Sequence, residues 1–301
     1  MFVSFKGTLV GVARWQWRSL LLYAAVSTTV FCVGHFGGYD RITIDNLPVT
    51  VLGAALGIFV SFRTNAGYDR WWEGRKLWGR LVNASRHFTT QVTTYLQGDG
   101  AAAQGRILVR RHVAYVHALR CMLRGQDLWQ DEDFLAFCDD EVRAALEGQR
   151  STTHALLQLQ QVTLVRLADE GALNELRLQS LDATIQELLG IQGGCERIRN
   201  TPFPRAYGFI ATRLVWIYSG LLPVCIMEEM GFLTVPITML VCLGFSLIGE
   251  VGRVLEDPFT MNWPALPLSA LSRTIQVNLQ QRLGDEDLPP MLQPDERGVL
   301  M

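Results

Sequence analysis

The chain lacks a basic excess. Its 301 residues carry 27 Lys and Arg against 29 Asp and Glu, a net charge of −2. A nucleic-acid-binding domain normally shows a strong basic surplus or stripe, so that class of partner is set aside. Cysteine is sparse and unpatterned. The six thiols, at Cys32, Cys121, Cys138, Cys195, Cys225 and Cys242, form no C-x-x-C pair, and half of them lie in apolar runs, where cysteine acts as a small hydrophobe. Neither a disulfide framework nor a zinc site is expected. Catalytic signatures are missing as well: there is no H-E-x-x-H, no G-x-S-x-G and no phosphate-cradling glycine loop, and His35, His87, His112, His117 and His154 do not fall at i, i+4 metal spacing. The chain is not expected to be an enzyme, and no cofactor is implied.

Charge itself is missing from four runs: Ser19 to Tyr39, Asn46 to Phe62, Leu214 to Met227 and Met230 to Gly249. A helix that crosses a bilayer core needs roughly 17 to 25 predominantly apolar residues. Three runs meet that length, and the third does so once Tyr207 to Phe209 and the intervening Arg213 are included. The first run, at 21 residues, exceeds the apolar core of a signal peptide and reads as a retained span. The sequence therefore predicts an all-α integral membrane protein with four transmembrane helices and a helical domain between the second and third.

Lys and Arg near span ends are retained on the cytoplasmic side. Lys6, Arg14 and Arg18 precede the first span, Arg63, Arg70, Arg75, Lys76, Arg80 and Arg86 follow the second, and Arg253, Arg273 and Arg282 follow the fourth, whereas the opposite connections hold only Arg41. Both termini are expected in the cytoplasm. The chain divides as 1–63 with spans one and two, 64–206 as a cytoplasmic helical domain, 207–252 with spans three and four, and 253–301 as a C-terminal segment and tail. Helical periodicity in the central part runs through Ile107, Val109, Val113, Val116, Leu119 and Leu123 and again from Leu156 to Leu189. Tyr68, Trp71, Trp72 and Trp78, interleaved with Arg70, Arg75 and Arg80, belong to a helix continuing inward from span two, and their ordinary reading is an interfacial belt plus packing. Thr201-Pro202-Phe203-Pro204 predicts a break before span three. Pro223 and Pro236 suggest kinks within spans three and four.

On span two, Gly53 and Gly57 permit close helix approach. Ala54, Ile58 and Phe62 share one side at the same four-residue spacing, with Ser61 and Asn65 beside them. Two readings stand: ordinary packing, or a pore lining in which symmetric copies turn this stripe toward an axis and an apolar constriction forms. A secondary transporter would show internal repeats or interrupted helices, and only Arg213 and the prolines hint at that.

The run Phe62-Arg63-Thr64-Asn65-Ala66-Gly67-Tyr68-Asp69-Arg70-Trp71-Trp72-Glu73-Gly74-Arg75, with Leu77-Trp78-Gly79 after it, resembles the signature of the bestrophin family in its bacterial branch. Cys195-Glu196-Arg197-Ile198 with Thr201-Pro202-Phe203-Pro204, and Leu255-Glu256-Asp257-Pro258-Phe259, resemble two further family blocks in the expected order. The resemblance covers about residues 5 to 283. It implies a homopentamer in the bacterial inner membrane, with lipid and permeant inorganic ions as its other partners. One axial pore would have a neck at Ala54, Ile58 and Phe62 and a lower constriction near Leu173. Arg63, Asn65, Tyr68, Arg70, Trp71, Trp72, Glu73 and Arg75 would be structural. Eukaryotic members respond to calcium held by an acidic cluster after the fourth span. Here Glu256 and Asp257 remain with Glu250, but Thr260 to Leu266 hold no carboxylate, and Ala265 stands where bacterial relatives commonly show Asp. Calcium takes about six to eight oxygen ligands, so calcium-insensitive conduction is expected and no metal site is assigned. Selectivity stays open: family precedent favours chloride and other monovalent anions, while Asp40, Asp45, Glu228 and Glu229 outnumber Arg41 at the outer face and would draw monovalent cations.

Overall fold

A computed structural model describes residues 15–37, 46–261, 264–296 and 298–300, and the chain is helical throughout, with no strand element among them. Lys6, Arg14, Asp40, Arg41 and Asp45, on which part of the topology and selectivity reading rests, lie outside the described residues. The chain forms two compact units. The described residues of the first fall within Phe5–Trp71 and Pro202–Asp257, those of the second within Trp72–Thr201 and Pro258–Met301.

The first unit is built from apolar helices. Helix α1, Trp17–Gly37, has 21 residues, roughly 32 Å at about 1.5 Å per residue, which matches a hydrocarbon core. Helix α2 begins at Asn46 with Pro48 in its first turn, where the missing N–H costs nothing, and runs without a break to Tyr95. Helix α8, Arg205–Met230, absorbs Tyr207 to Phe209 and Arg213 into one 26-residue helix, so the short third run gains the length it lacked. A 3-10 turn at Gly231–Leu233 joins it to α9, Thr234–Leu255. Helices α1, α8 and α9 pack pairwise on one another. Their core gathers Tyr23, Ala211, Val215, Tyr218, Leu222, Cys225 and Cys242 with Val49, Leu56 and Val60 of α2. Tyr23 shares a hydrogen bond of 2.5 Å with Ser246 Oγ, so its phenol is not left bare among apolar neighbours. Pro236 lies in the first turn of α9 rather than in its interior, so the kink expected there has no basis in position; Pro223 is inside α8 as expected. Arg213 places its guanidinium 4.5 Å from the Trp216 ring centroid and 5.0 Å from that of Phe209, a cation–π pair of contacts that accommodates a charge in an apolar helix.

The second unit surrounds helix α3, Ala101–Arg124, which is buried along most of its length. Short helices α4, Glu132–Leu135, and α5, Asp140–Leu146, and longer ones α6, Thr152–Asp169, α7, Glu175–Asn200, and α10, Leu268–Arg282, complete it. Acid caps at the short helices serve twice. Asp131 accepts from the Phe134 N–H and pairs with Arg120, and Asp139 accepts from the Val142 N–H and pairs with Arg111. The apolar stretch Leu156 to Leu189 is two helices because Gly171 adopts φ 77° and closes α6 with hydrogen bonds from its own N–H to Ala168 and from Ala172 to Leu167. The expected break at Thr201 to Pro204 separates α7 from α8. Two histidines of α3 are enclosed. His112 Nε2 meets Ser85 Oγ at 2.9 Å and His117 Nε2 meets Gln276 Oε1 at 3.1 Å, and burial is the main force pushing both imidazoles down to about 4.

Candidate functional site

The first part of α2 has two faces that differ sharply in exposure. Val49, Leu56, Val60, Arg63 and Gly67 are buried against the rest of the apolar unit. On the other side Ala54, Ile58, Ser61, Phe62 and Asn65 are exposed and line one shallow concavity, with Ile58 at 58% and Phe62 at 68% exposure. The stripe read from spacing alone is thus a single exposed face, and packing inside the protomer does not account for it. Large apolar side chains left bare along a helix mark a surface that meets lipid, another chain or a lumen.

Close contacts on the buried face hold this helix in register. A Cβ on Gly53 would stand 2.9 Å from the Tyr218 hydroxyl, and one on Gly67 would stand 2.7 Å from the Gly252 carbonyl oxygen, so α2 and α9 approach backbone to backbone there. Thr64 Oγ1 donates across the same contact to the Ile248 carbonyl at 3.1 Å.

The motif residues are anchors. Arg63 is 7% exposed, and its Nε donates to Glu256 Oε1 at 2.8 Å. Gly208 leaves room for that guanidinium, since a Cβ there would come within 3.0 Å of it. Arg70 Nε donates to the Glu256 carbonyl oxygen at 2.8 Å, and Tyr68 stacks on Trp71 at 6.1 Å. In the second unit Glu73 accepts from Arg197 at 2.7 Å, Gly74 faces the Phe259 ring, Arg75 lies along Gly79, and Trp72 is half-exposed. Each later motif block therefore meets the first on α2.

Glu256 bears on calcium. Its carboxylate is already neutralised by a buried guanidinium, which makes it a poor ligand for a divalent cation.

Leu173, expected near the lower constriction, is 3% exposed within its own unit. Leu176, in the first turn of α7, is 79% exposed and is the apolar side chain this segment presents. The signal that separates the two in sequence is Asn174, which caps α7 by accepting from the Arg177 N–H at 2.9 Å and so fixes which residues turn outward.

The profile of the family described as Bacterial/Fungal Bestrophin protein matches residues 1–281. The chain is 33% identical over 248 residues to the "Voltage-dependent anion channel-forming protein YneE" of Escherichia coli (strain K12), covering 82% of this chain and 80% of that one. It is 29% identical over 304 residues to the "Voltage-dependent anion channel-forming protein mll4386" of Mesorhizobium japonicum, covering 99% and 93%. Among solved structures, that of a bacterial bestrophin homolog from Klebsiella pneumoniae superposes with a TM-score of 0.82 at 29% identity, over 89% of this chain and 98% of the other. With its three motif blocks joined on one helix as described, the chain belongs to the bacterial and fungal bestrophin family.

Proposed function

We propose that this chain is the subunit of a homopentameric ion channel with a single axial pore. Four helices of each copy cross the bacterial inner membrane, both termini lie in the cytoplasm, and α2 lines a neck with rings of Ala54, Ile58 and Phe62. The observation that carries this reading is the exposed apolar face of α2 opposite a face locked to α8 and α9. A constriction of this composition conducts while wetted and closes by losing water. Leu176 of each copy supplies a second apolar narrowing within the cytoplasmic unit. The names of the relatives in Escherichia coli and Mesorhizobium favour passive conduction of chloride and other monovalent anions. The occupied Glu256 supports conduction indifferent to calcium.

A monovalent-cation channel of the same fold is the second reading, favoured by Glu228 and Glu229 near the end of α8. Reversal potentials of the purified protein in a planar bilayer under a potassium chloride gradient separate the two. A shift toward the chloride equilibrium potential supports the first, and a shift toward that of potassium overturns it. In the same recording Ile58→Ala and Phe62→Ala are expected to raise conductance. Currents and selectivity unaltered in both variants would remove α2 from the pore.

A further inference from the structure

Helices α3 and α10 of the second unit meet along a polar seam with more donors than acceptors. At one end His117 Nε2 contacts Gln276 Oε1. One turn on, Arg120 Nη2 reaches both Asp131 oxygens at 2.6 and 2.5 Å and lies 3.8 Å from Asp133 Oδ2, while Arg273 Nη2 reaches Asp133 Oδ1 at 2.5 Å. At the other end Arg124 Nη1 donates to the Ser269 hydroxyl at 2.5 Å. Three guanidiniums thus face two carboxylates. Arg124 is the one left over: it forms an ion pair with no carboxylate among the described residues.

We propose that this seam binds one small monovalent inorganic anion, chloride in ordinary solution, held by the Arg124 guanidinium beside Arg120 and Arg273. The unsatisfied atoms point the same way as the charge. Arg120 Nε, Arg124 Nε, Arg124 Nη2 and Arg273 Nε are all buried without a hydrogen-bond partner, and a guanidinium has donors only. An orphaned buried donor costs more than an ordinary hydrogen bond returns. These atoms are enclosed by their own protomer, so a neighbouring subunit cannot supply the acceptor. Nor does the end of α3, because the Cys121 and Met122 carbonyls already accept from Gln126 and Gly125. Burial, and then Arg120, pull the Arg124 guanidinium down to about 10, which still leaves it charged at neutral pH. A water would accept hydrogen bonds but would leave the surplus charge in place.

A metal ion is disfavoured. His117, Asp131 and Asp133 do bring one ligand atom each within 4.8 Å of one another, but both carboxylates are already taken by Arg120 and Arg273, and a further cation would add to the surplus.

The test needs no flux and so stands apart from the channel reading. The full-length protein in detergent is melted in sodium chloride and in sodium gluconate at equal ionic strength. The wild type is expected to melt several degrees higher in chloride, Arg124→Gln to lose most of that shift, and Arg124→Lys, which keeps the charge, to retain it. A chloride shift undiminished in Arg124→Gln overturns the site, since any stabilisation by pore binding would persist in that variant. Should Arg124→Gln fail to fold, bromide-exchanged wild-type crystals give the answer: an anomalous peak within hydrogen-bonding distance of the Arg124 guanidinium is expected. Ordered water alone, or no density there, overturns the proposal.

Discussion

Arg63 and Glu256 stand 193 positions apart and form a shielded ion pair, with side-chain exposures of 8% and 19%. Removing one member strands a buried charge, which costs about 3–5 kcal/mol. Glu256→Ala is therefore expected to lower the melting temperature markedly, and in liposomes the wild-type flux should be equal with calcium and with chelator. A large calcium effect would show that Glu256 is free to coordinate. The buried histidines make a pH prediction. His112 and His117 are held near 4 in the fold against 6.5 as model compounds, so the unfolded chain binds more protons in between. Stability should be full above about pH 6.5 and fall as pH drops toward 4, and His112→Gln should flatten that slope in melts across the range. Spacing alone put Ala54, Ile58 and Phe62 on one face because an α-helix repeats every few residues. It could not tell which face of α2 is buried, nor that Arg63 meets Glu256, because those facts depend on contacts between distant segments. Nor could it tell that Leu173 is enclosed while Leu176 is exposed, because an αL glycine and an asparagine cap decide the local register there.

Helix α2 is the element on which the apolar unit depends, and its glycines are not equivalent. Gly67 sits where a Cβ would meet the Gly252 backbone, whereas a Cβ on Gly57 would find ordinary contact with the Phe245 ring at 3.7 Å. Gly67→Ala is expected to cost about 1–3 kcal/mol as overpacking. Gly57→Ala should be neutral or slightly stabilising, because alanine is the better helix former. Thermal melts of the two variants side by side check the contrast, and equal behaviour would contradict the close approach of α2 and α9. At the start of α7, Asn174→Ala removes the cap at a cost of about 1 kcal/mol. Because that cap sets the direction of Leu176, the variant should also alter conductance more than loss of a cap elsewhere, such as that of Asp127, whose side chain accepts from the Trp129 N–H at the 3-10 turn Leu128–Gln130. The sequence was most legible at this scale. Uncharged runs of bilayer length, the proline-rich break and the continuation of α2 past its apolar part all follow from local chemistry. The ends of α8 were less legible because Arg213 interrupts its apolar run, and the aromatic rings that shelter it, Phe209 four residues before and Trp216 three residues after, lie within about one turn on either side.

For the whole molecule, the apolar side chains left exposed on α2 must be covered or wetted by something other than their own protomer. We assign them to the lumen of a symmetric assembly, while the buried face belongs to the protomer's own helices. Charge balance alone does not choose the permeant ion of the proposed channel, since Ala54, Ile58 and Phe62 are uncharged and the Phe62 ring offers a positive edge or a negative face according to its orientation. The most direct measurement is a density map of the assembled protein in a lipid bilayer. The expected map shows five copies around one axis, with Ala54, Ile58 and Phe62 of each facing a continuous central tunnel. A map that sets these three side chains against lipid, or between neighbouring subunits away from any tunnel, contradicts it.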